Sequence, residues 1–240
     1  MSDTLPHEHS LMGETTVHFE ARVSATDVLR RFFGNQGKKV FIASNLQTMY
    51  PSQKAFYPDL LVVFEIENRH RQSWNVMQEK RGLDFVLEIV STGTRRNDQV
   101  EKLNLYARLG IPEYFMFDPD KFTLRGFRLD PTKSNQAYEE IPKSQPRCVF
   151  SERLGLHLAI DAHKLRFILA EGIEVLFTDE LIHRLNQKLA DKDELIAEGL
   201  REIEKENKQK EEERALKEVE KARADKLEEE LAQLIRSLKK

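Results

Sequence analysis

Over roughly the first 178 residues, short apolar runs alternate with polar turns, and beyond Gly199 the chain continues with no Gly or Pro. Asp59–Phe64 (DLLVVF) and Asp84–Val90 (DFVLEIV) are continuous apolar runs too short for helices, so they predict strands buried on both faces. Between them lies a polar connection, Glu65–Leu83. A helix is predicted over Ala25–Phe33, with Ser24 and Asp27 giving a capping-box-like start. The run Lys39–Tyr50 is β-rich. A second helix spans Asn97–Leu109, capped by Asn97 and ended by Gly110 and Pro112. Glu113–Asp118 and Phe122–Leu129 predict further strands. Weaker ones follow near Cys148–Phe150, Leu156–Ile160, Leu165–Leu169 and Ile173–Phe177. A terminal helix starts at Asp179. The pattern is α+β: a mixed central sheet flanked by few helices, of α/β/α type. It divides into an N-terminal stretch (1–16), a folded domain (17–178) and a C-terminal helix (179–240).

Lys102 breaks the pattern of the second helix. At about 100° per residue, Glu101, Asn104 and Arg108 make one polar face. Val100, Leu103, Leu105, Tyr106, Ala107 and Leu109 cover most of the remainder, and Lys102 points out among them, between Tyr106 and Leu109. A lysine facing a core needs a charged partner or must lose its proton.

Two carboxylates are candidates. Asp59 opens the DLLVVF strand, and Glu88 sits near the end of DFVLEIV on the face of Val86 and Val90. If the strands are antiparallel neighbours, Asp59 and Glu88 meet at one edge, where the helix of Lys102 begins. Asp59, Glu88, the Ile89 carbonyl and waters compose an ordinary Mg²⁺ (or Mn²⁺) site, provided the carboxyl groups lie within about 8 Å. With a lysine alongside, this is a constellation for phosphodiester hydrolysis. The same residues also admit a structural reading, with Asp59 in a turn after Pro58, Glu88 facing solvent and Lys102 snorkelling.

The residues carrying this site resemble the PD-(D/E)XK nuclease superfamily. They are closer still to a bacterial family named as restriction endonucleases and long catalogued as a domain of unknown function. The matching stretches are YPDLLVVF, DFVLEIVSTGTRRND, EKLNLYARLGIPEYFMFDPD and LRGFRL, from about residue 40 to 178. The resemblance implies a restriction-endonuclease-like fold, with metal at Asp59 and Glu88, Lys102 as the catalytic lysine and Asp98 beside the site. It departs from the family pattern at Val90, where the motif E-x-K expects lysine. Lysine migration to the following helix accounts for that. Gly93 stands where relatives usually carry Pro. An acidic residue on the first helix sometimes completes such sites, yet neither Glu20 nor Asp27 fits the pattern well.

Other residues bear on partners. Arg95 and Arg96 on the loop entering the helix suit a phosphate backbone. Arg69, Arg71 and Trp74 form a basic stretch with an aromatic, which either stacks on a base or anchors its loop. Tyr106 and Tyr114 are expected to pack beside the site. The net charge of −3 confines nucleic-acid binding to local patches. The single cysteine, the missing apolar leader and the missing 18-residue apolar run suit a soluble cytoplasmic protein with no membrane partner.

From Arg201 to Lys240 there are 12 basic and 12 acidic residues, the composition of a long solvated helix. Leu227, Leu231, Leu234 and Leu238 suit a short coiled-coil seam, hence a dimer. The sequence therefore supports a Mg²⁺-dependent DNA endonuclease. The alternative from another class is a catalytically inactive nucleic-acid-binding or coiled-coil scaffold that keeps the fold.

Overall fold

The computed structural model describes residues 15–90, 96–130 and 137–238. It divides into a unit ending at Glu180 and a second from Leu181 onward. In the first unit, a six-stranded sheet is built from β1 (Val40–Ala43), β3 (Leu60–Phe64), β5 (Phe85–Ile89), β6 (Glu113–Asp118), β7 (Thr123–Leu129) and β8 (Tyr138–Glu140), neighbours in that order. Only β5 and β6 pair in parallel. Two short strands, β2 (Thr48–Met49) and β4 (Trp74–Asn75), pair separately.

Both faces of this sheet are covered, which is why β3 and β5 read as unbroken apolar runs. On one face, α1 (Thr16–Asn35) buries Ala25, Val28, Leu29 and Phe33 against Leu60, Val62, Phe85, Leu87 and Ile89. A second sheet, ordered β12 (Lys164–Ile168), β11 (Leu156–Asp161), β10 (Cys148–Ser151), β9 (Lys143–Gln145), adds Val149, Leu158 and Phe167 to the same core. A Cβ on Gly126 would come within 2.7 Å of the Phe115 ring and 2.9 Å of Val149, so β7 meets the second sheet at a position with no room for a side chain. On the opposite face, α3 (Arg96–Arg108) packs Tyr106, with Leu103 and Leu105, over Leu61, Val63, Val86 and Val90. Gly110, at φ +71°, ends that helix in the left-handed region that favours glycine.

Several elements differ from the sequence expectation. α1 begins nine residues earlier than Ala25, because Thr15 caps it by accepting from the His18 N–H at 3.3 Å. Its early turns leave Val17, Phe19 and Val23 exposed, so only the later half carries a one-sided apolar pattern. Strands β8 and β9 are edge-like and mostly exposed, with little apolar signal. Ile173–Phe177 does not form a strand and makes only an isolated bridge between Ile168 and Glu174. A four-residue helix, α2 (Val76–Glu79), lies in the Glu65–Leu83 connection.

The terminal helix, α4 (Thr178–Leu238), runs for 61 residues. Its surface carries i,i+4 ion pairs such as Lys217–Glu213 at 2.6 Å and Lys210–Glu206 at 3.6 Å. Among the described residues no helix is long and apolar enough to cross a membrane.

Candidate active site

β3 and β5 pair antiparallel with Leu60 opposite Leu87, a register that continues to Asp59 opposite Glu88. Glu88 shares its face with Val86 and Val90, the face that α3 covers. Lys102 and Tyr106 are four residues apart on α3, so both project toward the same strand end. There the Lys102 Nζ donates to Glu88 Oε2 at 2.9 Å, and the Tyr106 hydroxyl donates to Glu88 Oε1 at 2.5 Å. The inward lysine of the helix therefore meets the carboxylate of the strand.

Asp59 is held from two other directions. Its Oδ2 accepts the Ile89 N–H at 2.8 Å and lies 3.3 Å from His18 Nε2, in the first turn of α1. Asp59 and Glu88 also act on each other electrostatically, which marks the two carboxyl groups as close neighbours.

Electrostatics separates the two acids. Glu88 is only 4% exposed, and burial lifts its pKa to about 7. Lys102 opposes that rise, while the charge of Asp59 adds to it. Burial also pushes Asp59 upward, but the bonds from His18 and the Ile89 N–H outweigh it and hold Asp59 below the ordinary carboxylate value. Tyr106 is driven well above an ordinary phenol by burial and then by Glu88, so it serves as a hydrogen-bond donor. Lys102 at Glu88 and His18 at Asp59 are the basic groups bonded to these carboxylates, and the burial of Glu88 still disfavours its charge. A hard divalent cation with oxygen ligands relieves that penalty, so the donor set fits Mg²⁺. Among the described residues, no group of three or more His, Cys, Asp or Glu side chains is arranged to hold a metal. A cation here would take two carboxylates, a backbone carbonyl and water, which suits an ion that keeps part of its hydration shell.

A match to the Uma2 family, described as "Putative restriction endonuclease", covers residues 9–161, more than half of the chain. The chain belongs to the Uma2 family. Among curated proteins none matches. A solved structure described as "a putative nuclease belonging to DUF820 from Anabaena variabilis ATCC 29413" is similar, with 16% identity and a TM-score of 0.47, over 60% of this chain and 78% of that one.

The remaining candidates from the sequence fall into three groups. Asp98 and Arg96 lie on α3 with side chains outside those described, and Arg95 precedes the helix outside the described residues. Trp74 does not offer a stacking face. It is fully buried, stacks on Phe41 at 5.2 Å, and donates its Nε1–H to the Arg81 carbonyl. Arg71 is likewise withdrawn, its side chain 2% exposed and bonded to Glu79 and to the Glu67 carbonyl. Arg69 stays on the surface and pairs with Glu79 at 2.8 Å. Of the two readings left open for this stretch, the loop anchor is the one observed, with Arg71 in an internal ion pair.

Neither acidic residue of α1 joins the site. Asp27 accepts from the Thr178 N–H and hydroxyl at the start of α4, and Glu20 is exposed. His18 of α1 does reach Asp59. Starting the helix at Ala25 hid it; Thr15, a good cap, was the available signal.

Proposed function

We propose that the protein is a divalent-metal-dependent endonuclease that hydrolyses DNA phosphodiester bonds at the site formed by Asp59, Glu88 and Lys102. The observation that supports this most is the 2.9 Å contact of Lys102 with Glu88. It supplies a lysine to the two-carboxylate site although Val90 stands where the E-x-K motif has one. Asp59, Glu88 and the Ile89 carbonyl would hold Mg²⁺ or Mn²⁺, which when bound polarises the phosphoryl group and acidifies water. Lys102 neutralises charge on the phosphate oxygens as it builds and orients the attacking water. Tyr106 fixes the Glu88 carboxyl from the opposite side. The Ile89 N–H fixes Asp59, and Asp98 stands one turn before Lys102 on the same helix. Contact with the nucleic-acid backbone is proposed for Arg95, Arg96 and Arg69.

Dimerisation through α4 is part of the same proposal, because two sites address two strands. The helix exposes Ile182, Leu185, Leu189, Ile196 and Ile203 at heptad-like intervals, and later Leu227 and Leu231. Leu234 and Leu238 continue the expected seam on residues whose side chains lie outside those described. A cytoplasmic location fits a DNA substrate.

The test is incubation of supercoiled plasmid and single-stranded DNA with Mg²⁺ or Mn²⁺, wild type beside Glu88→Ala. Nicking or cleavage by the wild type alone supports the proposal. Equal cleavage by both, or none by either, rejects it, and the latter favours the inactive scaffold.

A further inference from the structure

The polar face of α3 is one wall of a hollow. Glu101, Asn104 and Arg108 line a space of about 480 Å³ together with Gln53, Phe56 and Tyr57 of the segment before β3. That volume is within the range of small-molecule sites. Lys102 and Tyr106 line it too, and both bond Glu88, so two side chains are shared between the hollow and the carboxylate site.

Its aromatic component is unusual in this fold. Most rings here are buried, but Tyr57 is 53% exposed while its hydroxyl is tied by the Gln47 amide at 2.9 Å. Phe56 behind it stacks with Tyr50 at 6.0 Å and contacts Tyr106 at 5.6 Å, which gives the hollow a stiff floor. A single exposed aromatic ordinarily means little. This one stands two residues before Asp59, tethered at its polar end, beside a cavity with amide groups on both walls.

We propose that this hollow takes the nucleobase next to the scissile phosphate, so that the substrate is single-stranded or locally unpaired nucleic acid. The inference rests on the phosphodiesterase reading above and names its substrate class. A base offers a π-face to Tyr57, which gives sequence-tolerant affinity. Its edge offers donors and acceptors to Gln53 and Asn104, and Arg108 provides a cation for the adjoining phosphate. A base inside an intact duplex has both faces covered and does not reach such a hollow without leaving the stack.

The experiment uses the full chain in EDTA at low salt, where no cleavage occurs. It titrates the protein into matched single-stranded and duplex oligonucleotides carrying 2-aminopurine. Single strands are expected to bind at least tenfold more tightly, with the fluorescence quenched on stacking. Tyr57→Ala is expected to lose the quenching and about tenfold in affinity, while Tyr57→Phe keeps both. Equal affinity for duplex, no quenching with single strands, or an unchanged Tyr57→Ala overturns the proposal. Binding is read without metal, so the two claims separate. Quenching without cleavage in the plasmid assay rejects the nuclease reading alone, and cleavage without Tyr57-dependent quenching rejects the base site alone.

Discussion

Glu88 should be a liability to the metal-free fold, and replacing it with Gln should stabilise the protein at alkaline pH. Its pKa of about 7 stands against an ordinary 4.5. At about 1.4 kcal/mol per pH unit, that difference is worth on the order of 3 kcal/mol. The sign follows from which state holds the proton more tightly. The folded state does, so the stabilisation is fully present below about pH 4.5 and is lost as pH rises toward 7. Asp59 acts in the opposite sense, its contribution being lost only as pH falls below its ordinary 3.8, outside the working range. Glu88→Gln keeps the shape and can still accept from Lys102 while donating to the Tyr106 oxygen. Urea unfolding in EDTA from pH 5 to 8.5 should show wild-type stability falling with pH by up to about 3 kcal/mol relative to the variant. At pH 8, millimolar Mg²⁺ should restore the wild type and leave Glu88→Gln nearly unchanged, because only the former gains a ligand on folding. Parallel pH profiles for the two proteins refute the assignment of Glu88 as a buried, charge-deficient carboxylate.

Three other outcomes are expected. Tyr106→Phe deletes a buried donor to Glu88, and should lower stability at pH 8 by about 2 kcal/mol, the usual worth of a hydrogen bond to a charged group, as read by urea unfolding. Gly126→Ala should cost about 1–3 kcal/mol by thermal or urea unfolding, since its Cβ meets the Phe115 ring and Val149 at under 3 Å. Sedimentation equilibrium of the full chain at micromolar concentration should return about twice 28.1 kDa; a monomer there contradicts a dimer formed through α4.

Much of the site could be read from the chain because its residues violate local patterns. Lys102 on an apolar arc and Glu88 in a strand buried on both faces each cost free energy unless they meet, and they do. The antiparallel pairing of β3 with β5 entered the sequence reading only as a condition, and the structure meets it with Leu60 opposite Leu87. What escaped was carried by residues that violate nothing. His18 is an ordinary helical residue until the Thr15 cap starts the helix early enough to bring it to Asp59. The charged surroundings of Trp74 in sequence left stacking on a base and anchoring the loop both open, and the structure has Arg71 over the rings of both Trp74 and Phe41, its charge turned toward Glu79. The exposed edge strands β8 and β9 pair with their neighbours in sequence, β7 and β10, but their mostly polar, solvent-facing side chains carry no apolar alternation to mark them.

The displaced lysine is the centre of the account, and its most direct test is the single-turnover rate of DNA cleavage by Lys102→Ala at saturating Mg²⁺. A drop of about 100-fold or more is expected, within the range for lost proton-transfer or charge-stabilising groups. Cleavage at the wild-type rate would mean that Lys102 is only a structural partner of Glu88.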